Sequence, residues 1–435
     1  MSIFKKILLI IILGIILLVG FFFYKYKAIS IPKTVSVAVE EKLPFNIPEG
    51  FVMSVFASGV DGARVMELDP KGTMLVSQTS KDKISALIDR NGDGKAEEIV
   101  TVIDKLNAPH GISFECSINI VCKLYIAEED KLSVYEYDDV SKKATNPKKL
   151  LDLPKDGGHY TRSIIFLPYP NENILLVSVG SSCNVCNEAD SKRASIISYD
   201  IKTGKYESFA KGLRNSVFLK LHPIDGKVYA TEMGRDGLGD NTPPDEINII
   251  EKSKNYGWPT CYGKNIHDTN FDKNTYIRNP CMEPFETQSL VDLQAHSAPL
   301  GLDFVPEEGW EEKDWFSMIV AYHGSWNRSV PTGYKVVKIP MLKDGSYGEP
   351  EDFITGWLKE DGTKIAEKMV LELKDKVGMT GDENDVSLRD EIDAVEALKA
   401  LGYSQNDSRN ALQEIDRSIT KTGDRIKAAL KILGK

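Results

Sequence analysis

Four histidines of this chain occupy positions from which an imidazole could act on a bound molecule. They lie next to glycines or at the predicted ends of strands: His110 in "NAPHGISF", His159 in "GGHYTRSI", His296 in "AHSAPLGLDF" and His323 in "AYHGSWNRS". Imidazole titrates near neutral pH, so each of them could serve as a general base. Any one of them taken alone is more typical of a hydrogen-bonded core or loop histidine than of a catalyst, and its place in the fold separates the two interpretations.

Basic side chains accompany these histidines. Arg162 belongs to the "GGHYTRSI" stretch, Arg214 stands in "GLRNSV", and Arg328 and Lys335 stand in "WNRSVPTGYK". Guanidinium and ammonium groups gathered around one axis bind carboxylates through charge-assisted hydrogen bonds. Together the basic residues predict a small anionic ligand that carries several carboxylates.

Short strands recur along the chain and would position these side chains. β-Branched and aromatic segments occur in "GTMLVSQ", "CKLYIAEE", "ENILLVSVG", "GKVYATEMG" and "FSMIVAYHG". The first four are spaced by about 50 residues, a repeat length typical of propeller blades with four strands each. Because no long amphipathic helix occurs between residues 50 and 360, the pattern disfavours a parallel α/β fold.

The two ends of the chain differ from this repeat. An uncharged run from Ile7 to Tyr24, flanked by lysines and followed by no cleavage pattern, predicts an uncleaved transmembrane helix. Apolar stripes at helical spacing near the other end predict a small three-helix bundle. The predicted organisation is a transmembrane anchor at 1–27, a tether at 28–48, a β-propeller at 49–362, a helix and linker at 363–389, and a bundle at 390–435.

Six cysteines form three pairs of near neighbours, Cys116 with Cys122, Cys183 with Cys186, and Cys261 with Cys281. An even count in short loops behind a membrane anchor predicts three disulfides in an oxidising compartment. For "CNVC" the alternative is a redox or zinc pair, although no second pair stands at ligand spacing. We therefore expect a single-pass protein of the cell membrane whose main domain lies outside the cytoplasm.

The overall composition is that of a globular protein, with 42% hydrophobic and 27% charged residues. The formal net charge is −10 at pH 7. Binding to nucleic acid through phosphate contacts needs a basic face, so this charge disfavours a nucleic-acid partner.

Six long motifs, in this order, resemble the glucose/sorbosone dehydrogenase family, and most closely its L-sorbosone dehydrogenase branch. They are "GGHYTRSIIF", "SVGSSCNVCNEAD", "GLRNSVFLKLHP", "GDNTPPDEINIIEKSKNYGWPTCYG", "AHSAPLGLDF" and "HGSWNRSVPTGYKVVKI", and the resemblance covers roughly residues 50–365. It implies a mainly β fold, a six-bladed β-propeller that binds pyrroloquinoline quinone (PQQ) together with Ca²⁺ at the mouth of its central channel.

The resemblance also implies roles for individual side chains. His159 would be the general base that takes a proton from a sugar hydroxyl while a hydride passes to the quinone. Arg214 would polarise the quinone oxygen, with Asn215 supporting the same edge. The main-chain carbonyls of Gly234 and Arg235 would bind Ca²⁺. The other candidates for cofactor binding are His110, Arg162, His323, Arg328 and Lys335.

Acidic residues offer further candidates for a cation. Asp236 and Asp240 could assist the Ca²⁺ site or simply form turns. The stretch "DRNGDGKAEE", from Asp89, resembles the start of a calcium-binding loop. Its twelfth position is Val100, where an EF-hand needs a bidentate glutamate, and no helices flank it. We interpret this stretch as a hairpin turn.

The sequence departs from the family in two places. Ser181 stands where the aldose branch has an aspartate beside the catalytic histidine. After "GWLKEDG" the strands that complete the sixth blade are replaced by "TKIAEKMVLELKDKVG", which predicts an incomplete sixth blade. The segment "FVMSVFASG", residues 51–59, is expected to be the N-terminal strand that would close the ring against them. Residues 363 to 435 resemble instead the C-terminal part of the DNA-binding subunit of the Holliday-junction branch-migration complex, without its DNA-gripping hairpins. We interpret the join at "GTKIAEK" as a gene fusion or an assembly join.

Three functional hypotheses follow. The leading one is a membrane-anchored, outward-facing, PQQ-dependent oxidoreductase that oxidises a sugar or sugar aldehyde and passes electrons to an unidentified acceptor. The first alternative is a non-catalytic propeller, a binding module with a truncated sixth blade. The second is an accessory protein of branch migration that acts through the C-terminal segment.

Overall fold

The computed structural model describes residues 43–116, 122–359, 411–412 and 422–433. Within these ranges the chain is almost entirely β-structure, and it forms five four-stranded antiparallel sheets that follow one another along the sequence. The prediction of a mainly β, propeller-like fold is confirmed.

The strands of each sheet pair in chain order. The first sheet contains β1 (Ala63–Leu68), β2 (Met74–Gln78), β3 (Lys83–Ile88) and β4 (Glu98–Ile103). The second contains β5 (Gly111–Glu115), β6 (Lys123–Ala127), β7 (Lys131–Asp138) and β8 (Lys143–Asp152). The third contains β9 (Ile164–Phe166), β10 (Ile174–Val179), β11 (Ser195–Asp200) and β12 (Tyr206–Lys211).

The fourth sheet carries an insertion. It begins with β13 (Ser216–Leu221), β14 (Val228–Glu232) and β15 (Asp245–Ile250), continues through a separate hairpin of β16 (Cys261–Tyr262) and β17 (Ile266–His267), and ends with β18 (Val291–Leu293). The fifth contains β19 (Pro299–Phe304), β20 (Met318–Tyr322), β21 (Lys335–Ile339) and β22 (Glu351–Ile354).

Each strand segment recognised in the sequence is the second strand of its sheet, namely β2, β6, β10, β14 and β20. These strands are largely buried. The second strand of each sheet has a hydrogen-bonded strand on each side. Except in β20, its side chains are packed on both faces, and this explains the continuous apolar run in its sequence.

Hydrophobic clusters join the sheets in series. One cluster packs the first sheet on the second, and three more join the second to the third, the third to the fourth, and the fourth to the fifth. The first strands of successive sheets contact one another, so β1, β5, β9, β13 and β19 lie innermost. The starts of these inner strands meet around a common axis.

No buried hydrophobic cluster joins the fifth sheet to the first within the described ranges. A segment of residues 45–56, the strap, crosses between them instead. Asn46 pairs with Thr355 after β22, with N···O distances of 2.8 and 3.0 Å, and Phe51 packs against Phe353. At its other end the Phe56 carbonyl accepts a hydrogen bond of 2.7 Å from the Ala96 amide, before β4.

The strap corrects one expectation. Residues 51–59, "FVMSVFASG", resemble a closing strand in the sequence, but they form no strand in the structure. A β-strand needs a partner for its backbone groups, and no sixth sheet is present in the described part of the chain. The described residues thus form five blades, and they contain no sheet of the incomplete sixth blade that the sequence predicts.

All three predicted disulfides are confirmed: Cys116–Cys122, Cys183–Cys186 and Cys261–Cys281. The predicted transmembrane helix, the helix and linker at 363–389 and most of the bundle lie outside the described residues. One helix of the bundle region is described, α1 (Thr422–Leu433), and residues 411–412 are helical. Within the described ranges no helix is long and apolar enough to cross a membrane.

Candidate functional site

A cavity of about 410 Å³ opens where the inner strands begin. This volume falls in the usual range for small-molecule sites. Its lining combines basic, acidic and aromatic side chains with two glycines: Arg64, His159, Tyr160, Arg214, Met233, Gly234, Asp236, Asp245, His296, Ala298, Leu300, His323, Gly324, Trp326, Asn327 and Tyr334.

His159 is held in one tautomer by Ser181. The Nδ1 atom lies 3.0 Å from both the carbonyl oxygen and the hydroxyl oxygen of Ser181. The Ser181 hydroxyl itself donates to the Cys183 carbonyl at 2.6 Å. A carbonyl only accepts, so Nδ1 carries the proton and Nε2 keeps its lone pair. This is the tautomer that a general base in the cavity requires.

The surroundings of His159 also keep it unprotonated. Burial lowers its pKa to about 4, and the positive charges of Arg214, Arg162 and Arg193 act in the same direction. A base with this pKa is available throughout the neutral range.

Glycine is required where His159 approaches the fourth sheet. A Cβ atom at Gly180 would lie 2.6 Å from the His159 Cβ and 2.8 Å from the Asn215 Oδ1. Both distances are far inside van der Waals contact, so any side chain at position 180 would displace His159. The "VG" at the end of β10 therefore has a packing role.

Arg214 is oriented by four hydrogen bonds. Its Nε and Nη2 donate to the carbonyl and side-chain oxygens of Asn184, at 2.9 and 3.0 Å. Nη2 also donates to the Asp236 carboxylate at 3.2 Å, and Nη1 to the Met233 carbonyl at 3.4 Å. The guanidinium is 7% exposed at its side chain, and it is fixed beside His159 on the wall of the cavity.

His296 faces the same cavity but with the opposite tautomer. Its Nε2 donates to the Gly239 carbonyl at 2.9 Å, and its Nδ1 accepts from the Asn327 amide at 3.3 Å. Both nitrogens are therefore occupied. The Asn327 amide also donates to the Asp236 carboxylate at 2.6 Å, so the three side chains form one network.

Gly234, Asp236 and His323 also line this cavity, whereas the other sequence candidates do not. Arg162 is fully buried and donates to main-chain carbonyls, including those of Glu129 at 3.0 Å and Pro154 at 2.5 Å. His110 is also buried, and burial with nearby Arg64 and Arg162 lowers its pKa to about 3. Both side chains support the loop and strand ends beneath the cavity.

The others are placed around its margin. Asn215 lies behind Gly180, with its Oδ1 buried and without a hydrogen-bond partner among the described residues. Arg328 donates to the Asp240 and Ala295 carbonyls. Lys335 pairs with Asp352 on the outer part of the fifth sheet, and the Arg235 side chain pairs with Asp268 at 3.0 Å.

Sequence reasoning missed Arg64, and its signal was present. Arg64 is the second residue of β1, and its Nε is buried in the cavity wall without a partner among the described residues. When the repeats are aligned on their inner strands, Arg64 falls close to the polar residues that precede the other inner strands, namely His110, Arg162 and Arg214. The aromatic residues Tyr160, Trp326 and Tyr334, by contrast, stand in loops that no repeat pattern predicts.

The stretch from Asp89 connects β3 to β4, as expected for a hairpin turn. The Asp89 carboxylate accepts hydrogen bonds from the Gly92 and Gly94 amides at 2.7 and 2.9 Å. Carboxylate oxygens of Asp89, Asp93 and Glu97 lie within 4.8 Å of one another. The turn lies in the first sheet and contributes nothing to the cavity lining.

Buried carboxyl groups lie directly beneath the cavity. Glu232 and Glu246 face each other across β14 and β15, and Asp245 precedes them at the wall. Burial raises the pKa of Glu232 to about 8, of Glu246 to about 7 and of Asp245 to about 6. Glu232 accepts hydrogen bonds from the Asn215 amide at 2.7 Å and the Ser216 hydroxyl at 2.6 Å.

These raised pKa values predict a loss of stability in mild alkali. A carboxyl group whose pKa is higher in the folded chain than in the unfolded chain contributes to the free energy of unfolding. The contribution is complete below the pKa of the unfolded chain, and it disappears as the pH rises through the pKa of the folded chain. The buried histidines His110 and His159 have lowered pKa values and oppose this fall, but only near pH 6.5, where their imidazoles are still partly protonated in the unfolded chain. Between pH 6.5 and 8.5 we expect the free energy of unfolding to fall by about 1–3 kcal/mol.

Thermal unfolding across this pH range measures the effect. Glu232→Gln keeps a carbonyl oxygen as acceptor but cannot ionise, so the fall should become shallower. Glu207→Gln is the matched control, since Glu207 lies on β12 with a side chain that is 60% exposed. A wild-type unfolding temperature that is constant from pH 6.5 to 8.5 would contradict the prediction.

The site thus combines an oriented, unprotonated imidazole, a fixed guanidinium, a second arginine with an unused donor, and two carboxylates. The imidazole can remove a proton from a bound hydroxyl, and the guanidinium can stabilise negative charge that develops nearby. The unused Arg64 donor suits an anionic group on a ligand, and the carboxylates suit a cation.

Comparison with known proteins covers both parts of the chain. The TrAA12-like family model matches residues 45–365, and the model described as RuvA, C-terminal domain, matches residues 392–434. An uncharacterized protein of Borreliella burgdorferi is 31% identical over 357 residues, which is 79% of this chain and 89% of that protein. The Holliday junction branch migration complex subunit RuvA of Clostridium tetani is 34% identical over 131 residues, 28% of this chain and 66% of that protein.

A pyrroloquinoline quinone-dependent pyranose dehydrogenase of Coprinopsis cinerea is 26% identical over 345 residues. The match covers 70% of this chain but only 46% of that enzyme. Among solved structures, the calcium structure of the family AA12 enzyme of Trichoderma reesei superposes with a TM-score of 0.61 at 20% identity, covering 72% of this chain and 87% of that one. The holo PQQ domain of the Coprinopsis enzyme gives 0.60 at 21% identity, covering 72% and 86%.

Proposed function

Because this chain belongs to the TrAA12-like family, we propose that it is an oxidoreductase that oxidises a sugar or sugar aldehyde with PQQ as cofactor and Ca²⁺ as its companion ion. The single observation that carries the proposal is the geometry of His159 and Arg214. The two side chains share one cavity, and the Ser181 carbonyl fixes the imidazole in the tautomer of a base.

The residues of the cavity fit PQQ, which has three carboxylates and an ortho-quinone. The Nε of Arg64 is buried and lacks a partner among the described residues, as expected of a donor reserved for an anionic ligand. Arg64 and Arg214 would hold the cofactor, with His323 also on the cavity wall. Arg162, His110, Arg328 and Lys335, which the sequence resemblance offered as cofactor contacts, act in this proposal as supports around the cavity.

The lining also fits a hard cation. Gly234 borders the cavity, and its amide donates to the Asp245 carboxylate at 2.9 Å. A Cβ atom at position 234 would lie 2.6 Å from the Pro244 carbonyl, so a glycine is needed at this close approach. The carbonyls of Gly234 and Arg235, with the Asp236 carboxylate, would supply the oxygen ligands that Ca²⁺ prefers.

The protein's own groups then account for the proton chemistry. When bound, PQQ would supply a quinone able to take up a hydride from the substrate carbon. His159 accepts the proton of the substrate hydroxyl at Nε2, while the Ser181 carbonyl stabilises the proton on Nδ1 and the imidazolium that forms. Arg214 stabilises the negative charge that develops beside it. Oxidation of a sugar hydroxyl thereby leaves a carbonyl in the product.

The chain's location is part of the proposal. The uncharged run from Ile7 to Tyr24 supports a membrane anchor, and the three disulfides support an oxidising compartment for the propeller. We infer a single-pass membrane protein with an outward-facing dehydrogenase domain, which passes its electrons to an acceptor at the membrane or in solution.

Two further functions have some support. The open ring favours a non-catalytic binding module, since Met66 and Leu68 of β1 are 60% and 56% exposed where a closed propeller would bury them. The match of residues 392–434 to the RuvA C-terminal domain supports a role in branch migration.

One experiment separates the dehydrogenase from the binding module. Purified full-length protein is loaded with PQQ and Ca²⁺, and the reduction of an artificial dye is followed with pyranoses and sugar aldehydes. We expect sugar-dependent dye reduction that disappears on treatment with a chelator and returns with Ca²⁺. Retained PQQ absorbance without turnover would favour the binding module. No retained PQQ and no turnover would overturn both the enzyme and this ligand.

A further inference from the structure

The Cys183–Cys186 loop contacts both sides of the candidate site. Its backbone reaches His159, because the Cys183 carbonyl accepts the hydroxyl hydrogen bond of Ser181, the residue bound to Nδ1. The Ser182 carbonyl accepts from the Gly158 amide at 2.8 Å, one residue before His159. The loop thus holds the strand end that carries the base.

The same loop holds Arg214 through a single residue, Asn184. Asn184 accepts from Arg214 with both its carbonyl and its side-chain oxygen, at 2.9 and 3.0 Å. The side-chain amide of Asn184 also pairs with the backbone of Asp236. Its oxygen accepts from the Asp236 amide at 2.8 Å, and its nitrogen donates to the Asp236 carbonyl at 3.0 Å. The Trp258 indole donates to the Asn184 carbonyl at 3.3 Å.

We propose that Asn184 is a positioning residue for Arg214 and Asp236, and that the Cys183–Cys186 disulfide makes this positioning sensitive to reduction. The proposal rests on the proposed function for its effect on turnover. Asn184 touches two charged residues of the cavity wall from a loop that contains no strand, so its placement depends on the closure of the loop.

Exposure distinguishes this disulfide from Cys261–Cys281. Both cysteines of the 183–186 pair are partly exposed, whereas Cys261 and Cys281 are 6% and 1% exposed. A small dithiol can therefore reach the loop. In the reaction the disulfide accepts two electrons and two protons to give two thiols, while the dithiol becomes a cyclic disulfide.

Loss of the covalent closure frees Asn184 and, with it, the guanidinium of Arg214. Small displacements of a positioned charge cost much of its effect on a reaction, so we expect reduction to lower turnover by roughly 10- to 100-fold. Oxidation should restore it. The remaining contacts, such as the 2.7 Å bond from the Ser182 hydroxyl to Glu188, keep the loop attached and make the change reversible.

The test uses full-length protein with Cys116→Ser and Cys122→Ser, which removes the other exposed pair. Thiol labelling with mass detection establishes that dithiothreitol opens Cys183–Cys186 alone. Turnover with PQQ and Ca²⁺ is then measured before reduction, after it and after reoxidation. Asn184→Ala should reproduce the reduced state and respond no further to dithiothreitol. Asn187→Ala is the matched control, because Asn187 is exposed in the same loop and makes no hydrogen bond within the described ranges.

A second readout needs neither cofactor nor turnover. Arg214 helps to hold the pKa of His159 low, so release of Arg214 should raise that pKa, measured by NMR titration of cofactor-free protein. We expect a rise on reduction and in Asn184→Ala, with Asn187→Ala unchanged. Labelled thiols at positions 183 and 186 with an unaltered His159 pKa would overturn the proposal. A wild type that lacks turnover yet shows this rise would count against the proposed function alone.

Discussion

Replacing His159 by asparagine should lower the turnover number for sugar oxidation by roughly 10²- to 10⁴-fold, the usual contribution of a general base. Asparagine can still donate to the Ser181 carbonyl, as Nδ1 of His159 does at 3.0 Å. It offers no lone pair at the position of Nε2. The loss should therefore fall on proton removal and leave the dissociation constant for PQQ within a few-fold of the wild-type value.

Steady-state kinetics with a dye acceptor, together with PQQ titration, measures both effects. His267→Asn is the control, because His267 pairs with Asp272 in the hairpin of β16 and β17, outside the cavity. The pH profile gives a further check. As the pH falls from 7 to 5 the wild-type rate should not drop through protonation of the base, since the His159 pKa is about 4. A variant that retains more than a tenth of the wild-type turnover would remove His159 from the mechanism.

Arg214→Met should reduce kcat/KM by roughly 10²- to 10³-fold, which is the effect of removing one fixed group that stabilises developing charge. Two consequences follow from its contacts. The Asp236 carboxylate loses its ion pair of 3.2 Å, and the pKa of His159 rises because a nearby positive charge is gone. Arg214→Lys should fall between wild type and Arg214→Met, since lysine keeps the charge but not the fork of donors.

The comparison of the two Arg214 variants separates charge from geometry. Arg278→Met provides the control, because Arg278 is an exposed arginine between β17 and β18 and lies outside the cavity. Kinetics with several sugars and NMR titration of His159 are the measurements. Equal activity of wild type and Arg214→Met would show that the guanidinium has no part in the reaction.

The architecture was accessible from the sequence because buried second strands leave a strong signal. Each carries a continuous apolar run, so β2, β6, β10, β14 and β20 stand out without any structure, the first four at a nearly fixed spacing and the last after the insertion in the fourth sheet. The disulfides were equally accessible, since all three connect near neighbours. The prediction of a strand at residues 51–59 was wrong, because composition alone does not make a strand. These residues have the composition of a β-strand, but a strand forms only beside a partner strand, and none is present for them in the described part of the chain.

The site itself was only partly accessible. Arg162 and Arg214 are alike in sequence context, yet Arg162 turns to main-chain carbonyls and Arg214 to the cavity. The direction that each arginine side chain takes depends on which carbonyls the neighbouring loops leave unpaired. This is a property of the tertiary structure and not of the local sequence. Arg64 could have been found only by aligning the repeats on their inner strands, because it stands near the start of β1. The role of Asn184 depends on three partners that lie 30, 52 and 74 positions away.

The strap gives the propeller a particular mechanical weakness. It connects the two sheets at the opening of the ring through the Asn46–Thr355 pair, the contacts of Phe51 and the single bond from Ala96 to Phe56. Tension on the chain before residue 45 would load this small set of contacts before any four-stranded sheet. Under such a force the strap should detach first. The first and fifth sheets should then separate, while the four hydrophobic clusters that join the other neighbouring sheets stay intact.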